Sequence, residues 1–182
     1  MKDRKYTSAS LTTREEFLYG KFEVILKPNK SPGIVSAFFL HRNDPWQEID
    51  FEFLGNDTSS FLTNVYYNPG TEGTNNNYGV RGTPIRVKLG FDASENFHKY
   101  RIEWDPNDIR WYVDDKLVLA RSVWQPTPIP DMPMNFFVNA WPTKSEELAG
   151  ILDEGNLPTK LTVKSVTISS LNDNEKAAHN SI

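Results

Sequence analysis

The 182-residue chain contains no cysteine, no long apolar run and no cluster of basic residues. Without cysteine there are no disulfides and no thiolate metal sites, and the cellular compartment stays open. No stretch approaches the eighteen or more consecutive apolar residues of a membrane-spanning helix. Lys and Arg number 20 against 24 Asp and Glu, a net charge of −4. Nucleic-acid binding rests on neutralising phosphates, so that partner is not expected. The opening MKDRKYTSAS has no apolar core, so no secretory signal is read in it. Helical periodicity is almost missing as well.

What is present suits a folded domain. A composition 38% hydrophobic and 13% aromatic is that of a globular protein, and the length allows one domain with a sizeable core. Period-two stretches read as strands at 6–13, 17–27, 34–40, 46–53, 60–67, 84–89, 97–105, 108–114, 117–121, 134–141 and 160–169. Turn signals separate them: 28–33, the Gly/Asn-rich 68–82, Asp105-Pro106-Asn107-Asp108 and Asp114-Asp115. The segment 126–133 reads as an extended connector and 145–150 as one helical turn. The expectation is an all-β sandwich of jelly-roll type, one domain over 1–171 with a polar tail at 172–182.

The most informative stretch is WQEIDFEF at 46–53. Glu48, Asp50 and Glu52 fall at every second position, and Ile49, Phe51 and Phe53 stand between them. Successive side chains on a strand point to opposite sides, so this strand has one acidic face and one core face. Like charges stacked on one face repel, which implies a purpose. At ~3.3 Å per residue the Cα atoms of Glu48 and Glu52 stand about 13 Å apart. Leaning side chains bring the carboxyls to within about the 5–5.5 Å of retaining glycoside hydrolases. Crowding raises a carboxyl pKa, so a proton donor and a nucleophile on one strand follow.

WQEIDFEFLGND resembles the active-site strand of glycoside hydrolase family 16, which includes bacterial lichenases, fungal cell-wall glucan transglycosylases and plant xyloglucan endotransglycosylases. The likeness extends through FLYGKFEVILKPNKSPGIVSAFF at 17–39, TNVYYN at 63–68, GFDASENFHKYRIEWDPNDIRWYVDDKLV at 90–118 and VNAW at 138–141. The E-x-D-x-E spacing is similar to the lichenase and transglycosylase branch rather than the bulged laminarinase motif. The resemblance implies a concanavalin A-like jelly roll of two antiparallel sheets with a concave substrate cleft. It makes Glu48 the nucleophile, Glu52 the acid and then base, and Asp50 the residue that tunes the pair. It also implies that Trp46, Asn64, Tyr66, Asn139 and Trp141 line the cleft, aromatic rings lying on sugar faces and amides holding hydroxyls. His98, Trp104, Trp111 and Tyr112 would be structural.

The implied reaction is retaining endo-hydrolysis of β-1,3-1,4- or β-1,3-glucan, with glucan or xyloglucan transglycosylation and sugar binding without catalysis as the competing readings. Catalysis needs no cofactor. A structural calcium ion is compatible with the family but not indicated, because cation loops use turn residues and carbonyls rather than a regular strand. Relatives are mostly secreted, although no leader is read here. The family pattern starts well upstream of the position matching Tyr6, so the donor side of the cleft is expected to be shallow or built differently. Open sheet edges would then offer a route to self-association. Ser10 and Thr12 fall roughly where lichenases keep a Glu and an Arg, with Arg14 or Glu15 as substitutes if the register slips.

Overall fold

A computed structural model of the chain describes residues 5–70, 83–123 and 127–171. The strands are β1 (Ala9–Phe17), β2 (Gly20–Lys27), β3 (Ile34–Asn43), β4 (Trp46–Leu54), β5 (Asp57–Thr63), β6 (Val65–Tyr66), β7 (Ile85–Lys88), β8 (His98–Trp104), β9 (Asp108–Val113), β10 (Lys116–Ser122), β11 (Met134–Pro142) and β12 (Thr162–Ser169). The helical part is slight: α1 (Glu146–Ala149) and one 3-10 turn at Glu154–Asn156. Two antiparallel sheets result. The seven-stranded sheet runs β1-β11-β3-β4-β5-β7 with β6 also beside β4, and the five-stranded sheet runs β10-β9-β8-β2-β12.

The sheets are glued by aromatic residues at alternate positions. Ile49, Phe51 and Phe53 of β4 are fully buried. Phe51 stacks on Phe61 of β5 at 4.0 Å and meets Tyr100 of β8 edge-on at 5.3 Å. Tyr100 also meets Phe53 at 4.7 Å, so one ring from the opposing sheet braces two positions of β4. Trp104 and Trp111 are fully buried between the sheets. The Trp111 indole N–H donates to the Asp50 carbonyl oxygen at 3.0 Å, and the Trp104 indole donates to the Pro130 carbonyl at 2.9 Å. A buried indole needs such a partner.

Three expectations change in detail. The stretch 17–27 is not one strand, because the chain leaves the seven-stranded sheet after Phe17 and enters the other at Gly20. The reversal puts Tyr19 at φ 67° and Gly20 at φ 144°, and the Tyr19 ring closes on Trp104 at 4.9 Å. The first strand is shifted to Ala9–Phe17. The stretch 60–67 breaks at Asn64, where β5 gives way to β6. The tail 172–182, residues 71–82 of the Gly/Asn-rich loop and the start of the connector at 126 lie outside the described residues. The connector that follows is anchored by the buried Gln47, whose amide donates to the Asn68 carbonyl and the Asp131 carboxylate and accepts from the Asp131 and Met132 backbone.

The sandwich is open along the side where β1 and β12 end their sheets. A cleft of about 740 Å³ lies there, lined among others by Leu11, Val138, Trp141, Leu157, Leu161 and Val163. Leu11 is 68% exposed although its register partner Val138 is buried. At the opposite extreme, a Cβ on Gly55 would sit 1.9 Å from the Ser31 carbonyl oxygen. That backbone contact cannot relax as a side chain would. Gly55→Ala is expected to destabilise the fold by about 2 kcal/mol or more, read as a lowered urea midpoint. An unchanged midpoint would mean that the Ser31 turn shifts freely.

Candidate active site

The acids stand where the pleat of β4 places them. Register aligns Glu52 with Ala37, Asp50 with Phe39, Glu48 with His41 and Trp46 with Asn43 on β3. On the other side Glu48 aligns with Tyr66 and Glu52 with Leu62. Beyond β3, the strand β11 contributes Asn135, Phe137, Asn139 and Trp141 to the same face, opposite His41, Phe39, Ala37 and Val35. The result is a row of three carboxyls walled by aromatic rings.

These walls make the acidic face far less exposed than its charge would suggest. Asp50 is only 6% exposed, and Glu48 and Glu52 are half-buried. Burial is the first cause that pushes Glu48 up to about 7, against hydrogen bonds from Trp46 and Asp50 that favour its carboxylate. The Trp46 indole N–H donates to Glu48 Oε2 at 2.7 Å. Asp50 stands well above the ordinary carboxylate range, through burial first and then the charges of Glu48 and Glu52. A hydrogen bond to Glu48 adds to this rise. Glu52 is pushed up to about 7 by burial and then by the charge of Glu48. Crowding was the cause read from sequence; burial outweighs it.

The other predicted residues divide into two groups. Trp46 and Tyr66 flank Glu48, their rings 6.3 Å apart and tilted at 64°. Tyr66 is pushed up to about 12, by burial and then by the three acids. Asn64 donates its amide to the Tyr66 hydroxyl at 2.9 Å, and its backbone carbonyl accepts from Asp50 N–H at 2.9 Å. Asn64 therefore ties β6 to the middle of the acid row. Asn139 and Trp141 lie across the sheet. Asn139 is on the Glu52 row, and its Oδ1 is buried with no hydrogen-bond partner. Trp141 stands one row further along and packs on the cluster of Val35, Ala37, Leu54 and Ala149.

The model of the family "Glycosyl hydrolases family 16" matches residues 1–157. The chain belongs to glycosyl hydrolases family 16. A beta-glucanase of Brevibacillus brevis is 37% identical over 162 residues, 85% of this chain and 57% of the relative. A solved β-1,3-1,4-glucanase (lichenase) derived from a mouse hindgut metagenome has 35% identity and a TM-score of 0.75, over 88% of this chain and 70% of the other. A solved transglycosylase has 29% identity and a TM-score of 0.73, over 91% and 69%. Across the first curated relatives the chain spans 38 to 57% of their length.

Against this family 16 background, register settles where the outlying residues fall. Ser10 pairs with Asn139 and Thr12 with Phe137, so both lie on the face of the acids, while Arg14 and Glu15 fall in an irregularity between Thr12 and Glu16. Three residues of the site escaped the sequence reading. Phe39 and Phe137 stack at 4.9 Å with planes 6° apart, and His41 stands beside them. The signal for Phe39 and His41 was the odd-numbered phase of SAFFLHRN, and for Phe137 that of MNFFVNAW, both of which become meaningful only once Phe39 is known to pair with Asp50 and Phe137 with Phe39. Of the residues that the resemblance makes structural, Trp104 and Trp111 fill the core, Tyr112 lies under the Arg101 guanidinium at 4.3 Å, and the half-buried His98 has its Nδ1 2.7 Å from Asp114 Oδ2.

The raised carboxyls predict how stability depends on pH. Each folded carboxyl holds its proton more tightly than in the unfolded chain. For Glu48 and Glu52 this contribution to stability is therefore fully present below the unfolded pKa near 4.5 and lost as pH rises through about 7. Glu52→Gln removes one such group with little change of shape. It is expected to be more stable than wild type by about 1–3 kcal/mol at pH 8.5 and by much less at pH 5. Urea titrations at both pH values measure this; an equal difference at both would rule out titration as its origin.

Proposed function

We propose that this chain is a retaining endo-acting β-glucanase that cleaves β-1,3-1,4- or β-1,3-glucan by double displacement. The observation that carries the reading is the asymmetry between two buried glutamates on one strand. The hydrogen bonds at Glu48 favour its carboxylate, whereas both causes acting on Glu52 favour its acid form. In the proposed division Glu48 carries the charge, which the Trp46 indole N–H at 2.7 Å favours, and Glu52 carries the proton, as a retaining pair needs.

In the first step the Glu48 carboxylate attacks the anomeric carbon and forms a glycosyl ester, while Glu52 gives its proton to the departing oxygen. In the second, ionised Glu52 takes a proton from water as the water's oxygen attacks the same carbon, which frees Glu48. Protonated Asp50 shares its proton with Glu48 and can follow its change of charge. Trp46 and Tyr66 offer ring faces beside Glu48 to a sugar. Asn139 brings an unpartnered buried acceptor to the Glu52 end. The chemistry calls for no cofactor. A polysaccharide substrate implies action outside the cell, the setting the family resemblance also suggests.

Transglycosylation is the second reading, supported by the solved transglycosylase that overlays 91% of the chain. It shares the first step and differs in whether a sugar hydroxyl or water takes the intermediate. Reducing-end release from barley mixed-linkage glucan, lichenan, laminarin and xyloglucan tests both. Wild type is expected to act on the mixed-linkage substrates, and Glu48→Gln to lose about a thousandfold or more in kcat/KM. Size redistribution without new reducing ends would favour transglycosylation. Retained affinity without turnover in both forms would replace the enzyme reading with a sugar-binding one.

A further inference from the structure

Arg121 is a buried charge that the reaction above does not use. It pairs with Ile109 near the end of β10, on the core side of the five-stranded sheet, and is only 4% exposed. Its guanidinium lies over the Trp111 ring at 5.9 Å. Among the described residues no carboxylate pairs with it and its Nε has no hydrogen-bond partner; burial alone pushes it down to about 10. An unpaired buried charge is costly, so the bonds it does make carry the reason for it.

Those bonds lead to the acid row. The guanidinium donates from Nη1 to the Thr83 hydroxyl and from Nη2 to the Thr83 carbonyl. An arginine can only donate. The Thr83 hydroxyl therefore accepts from it and gives its own proton to the Val65 carbonyl at 3.3 Å. Thr83 N–H donates to Asn64 Oδ1 at 2.5 Å, and Val65 N–H donates to the same oxygen at 3.1 Å. Two backbone donors fix which way the amide points, since a flipped amide would set N–H against N–H. Asn64 Nδ2 must then donate to the Tyr66 hydroxyl, at 2.9 Å. Among the described residues that amide is the hydroxyl's only hydrogen-bond partner. The Tyr66 proton is left for the cleft, where Tyr66 stands beside Glu48.

We infer that Arg121 is a positioning residue that, through Thr83 and Asn64, holds the Tyr66 hydroxyl as a hydrogen-bond donor to a sugar oxygen beside Glu48. The inference rests on reading the acid face of β4 as a glucanase site. Bracing alone would ask only for a side chain of the right volume, and an apolar one would spare the fold a buried charge. Setting a polarity asks for a group that never accepts.

Arg121→Met removes the donors and keeps the length of the side chain, whereas Tyr66→Phe removes only the hydroxyl. A 13Cζ-tyrosine label follows the Tyr66 hydroxyl at pH 7 without any need for turnover. In Arg121→Met its resonance is expected to leave the wild-type position, in the direction in which Asn64→Ala moves it. On barley mixed-linkage glucan, Tyr66→Phe should lose about tenfold in kcat/KM, the worth of one hydrogen bond. Arg121→Met should lose about as much, and Arg121→Met in a Tyr66→Phe background should lose nothing more.

A Tyr66 resonance unmoved in Arg121→Met, a Tyr66→Phe enzyme as active as wild type, or losses that multiply in the double variant would overturn the inference. If Arg121→Met melts below the assay temperature, Thr83→Val, which removes one of the two oxygens that Arg121 grips, supplies the same comparison. A resonance that moves as expected in a protein with no glucanase activity would leave Arg121 as the residue that sets the Tyr66 hydroxyl and sink the proposed reaction.

Discussion

Everything at the site depends on the pleat of β4 being held from behind. The Trp111 indole from the opposing sheet donates to the Asp50 carbonyl, and the Asn64 carbonyl accepts the Asp50 N–H. The backbone of the central acid is therefore fixed on both sides. With that plane set, Phe51 and Phe53 must enter the core and Glu48, Asp50 and Glu52 must line the other face. A slip of one residue would bury the acids among phenylalanines. The large aromatic investment behind β4, from Tyr100, Phe61 and Trp111, is what makes such a slip prohibitive.

The same walls that position the acids make them chemically useful. Glutamates in water would all be ionised at neutral pH, and neither would hold a proton to give. Burial brings Glu48 and Glu52 to about 7, at Glu48 against the hydrogen bonds from Trp46 and Asp50. Asp50, buried deepest, is held well above the ordinary carboxylate range. Folding stability bears the cost, because the fold is least stable when these buried carboxyls are ionised.

Order is not uniform across the sandwich. Around β4 the packing is dense, and β3, β4 and β5 each have a strand on both sides. Where β1 and β12 end their sheets, a cleft of about 740 Å³ reaches between them and Leu11 stands exposed. Trp141 lines that cleft and also packs against the end of the acid face. The far end of the acid face and the open side of the fold therefore share a wall.

Much of this was legible from the chain alone. The two-residue period of WQEIDFEF dictates an acid face and a core face whatever strands surround it, and the alternation elsewhere, with Gly, Pro and Asp turns, requires an all-β sandwich. The capped turn at Glu146–Ala149 was readable too, from Ser145 before it and Gly150 after it. Other features depend on pairs of residues distant in sequence. The break at Tyr19 exists because β1 and β2 serve different sheets, and Phe39, His41 and Phe137 join the site only through the β3–β4 and β3–β11 registers. Burial, which outweighs crowding in raising the acids, is likewise a property of neighbours. Sequence by itself determined the local period and the chemistry of each side chain, because both are written within a few residues; tertiary structure decided register, enclosure and proton affinity, because these arise only where separate strands meet.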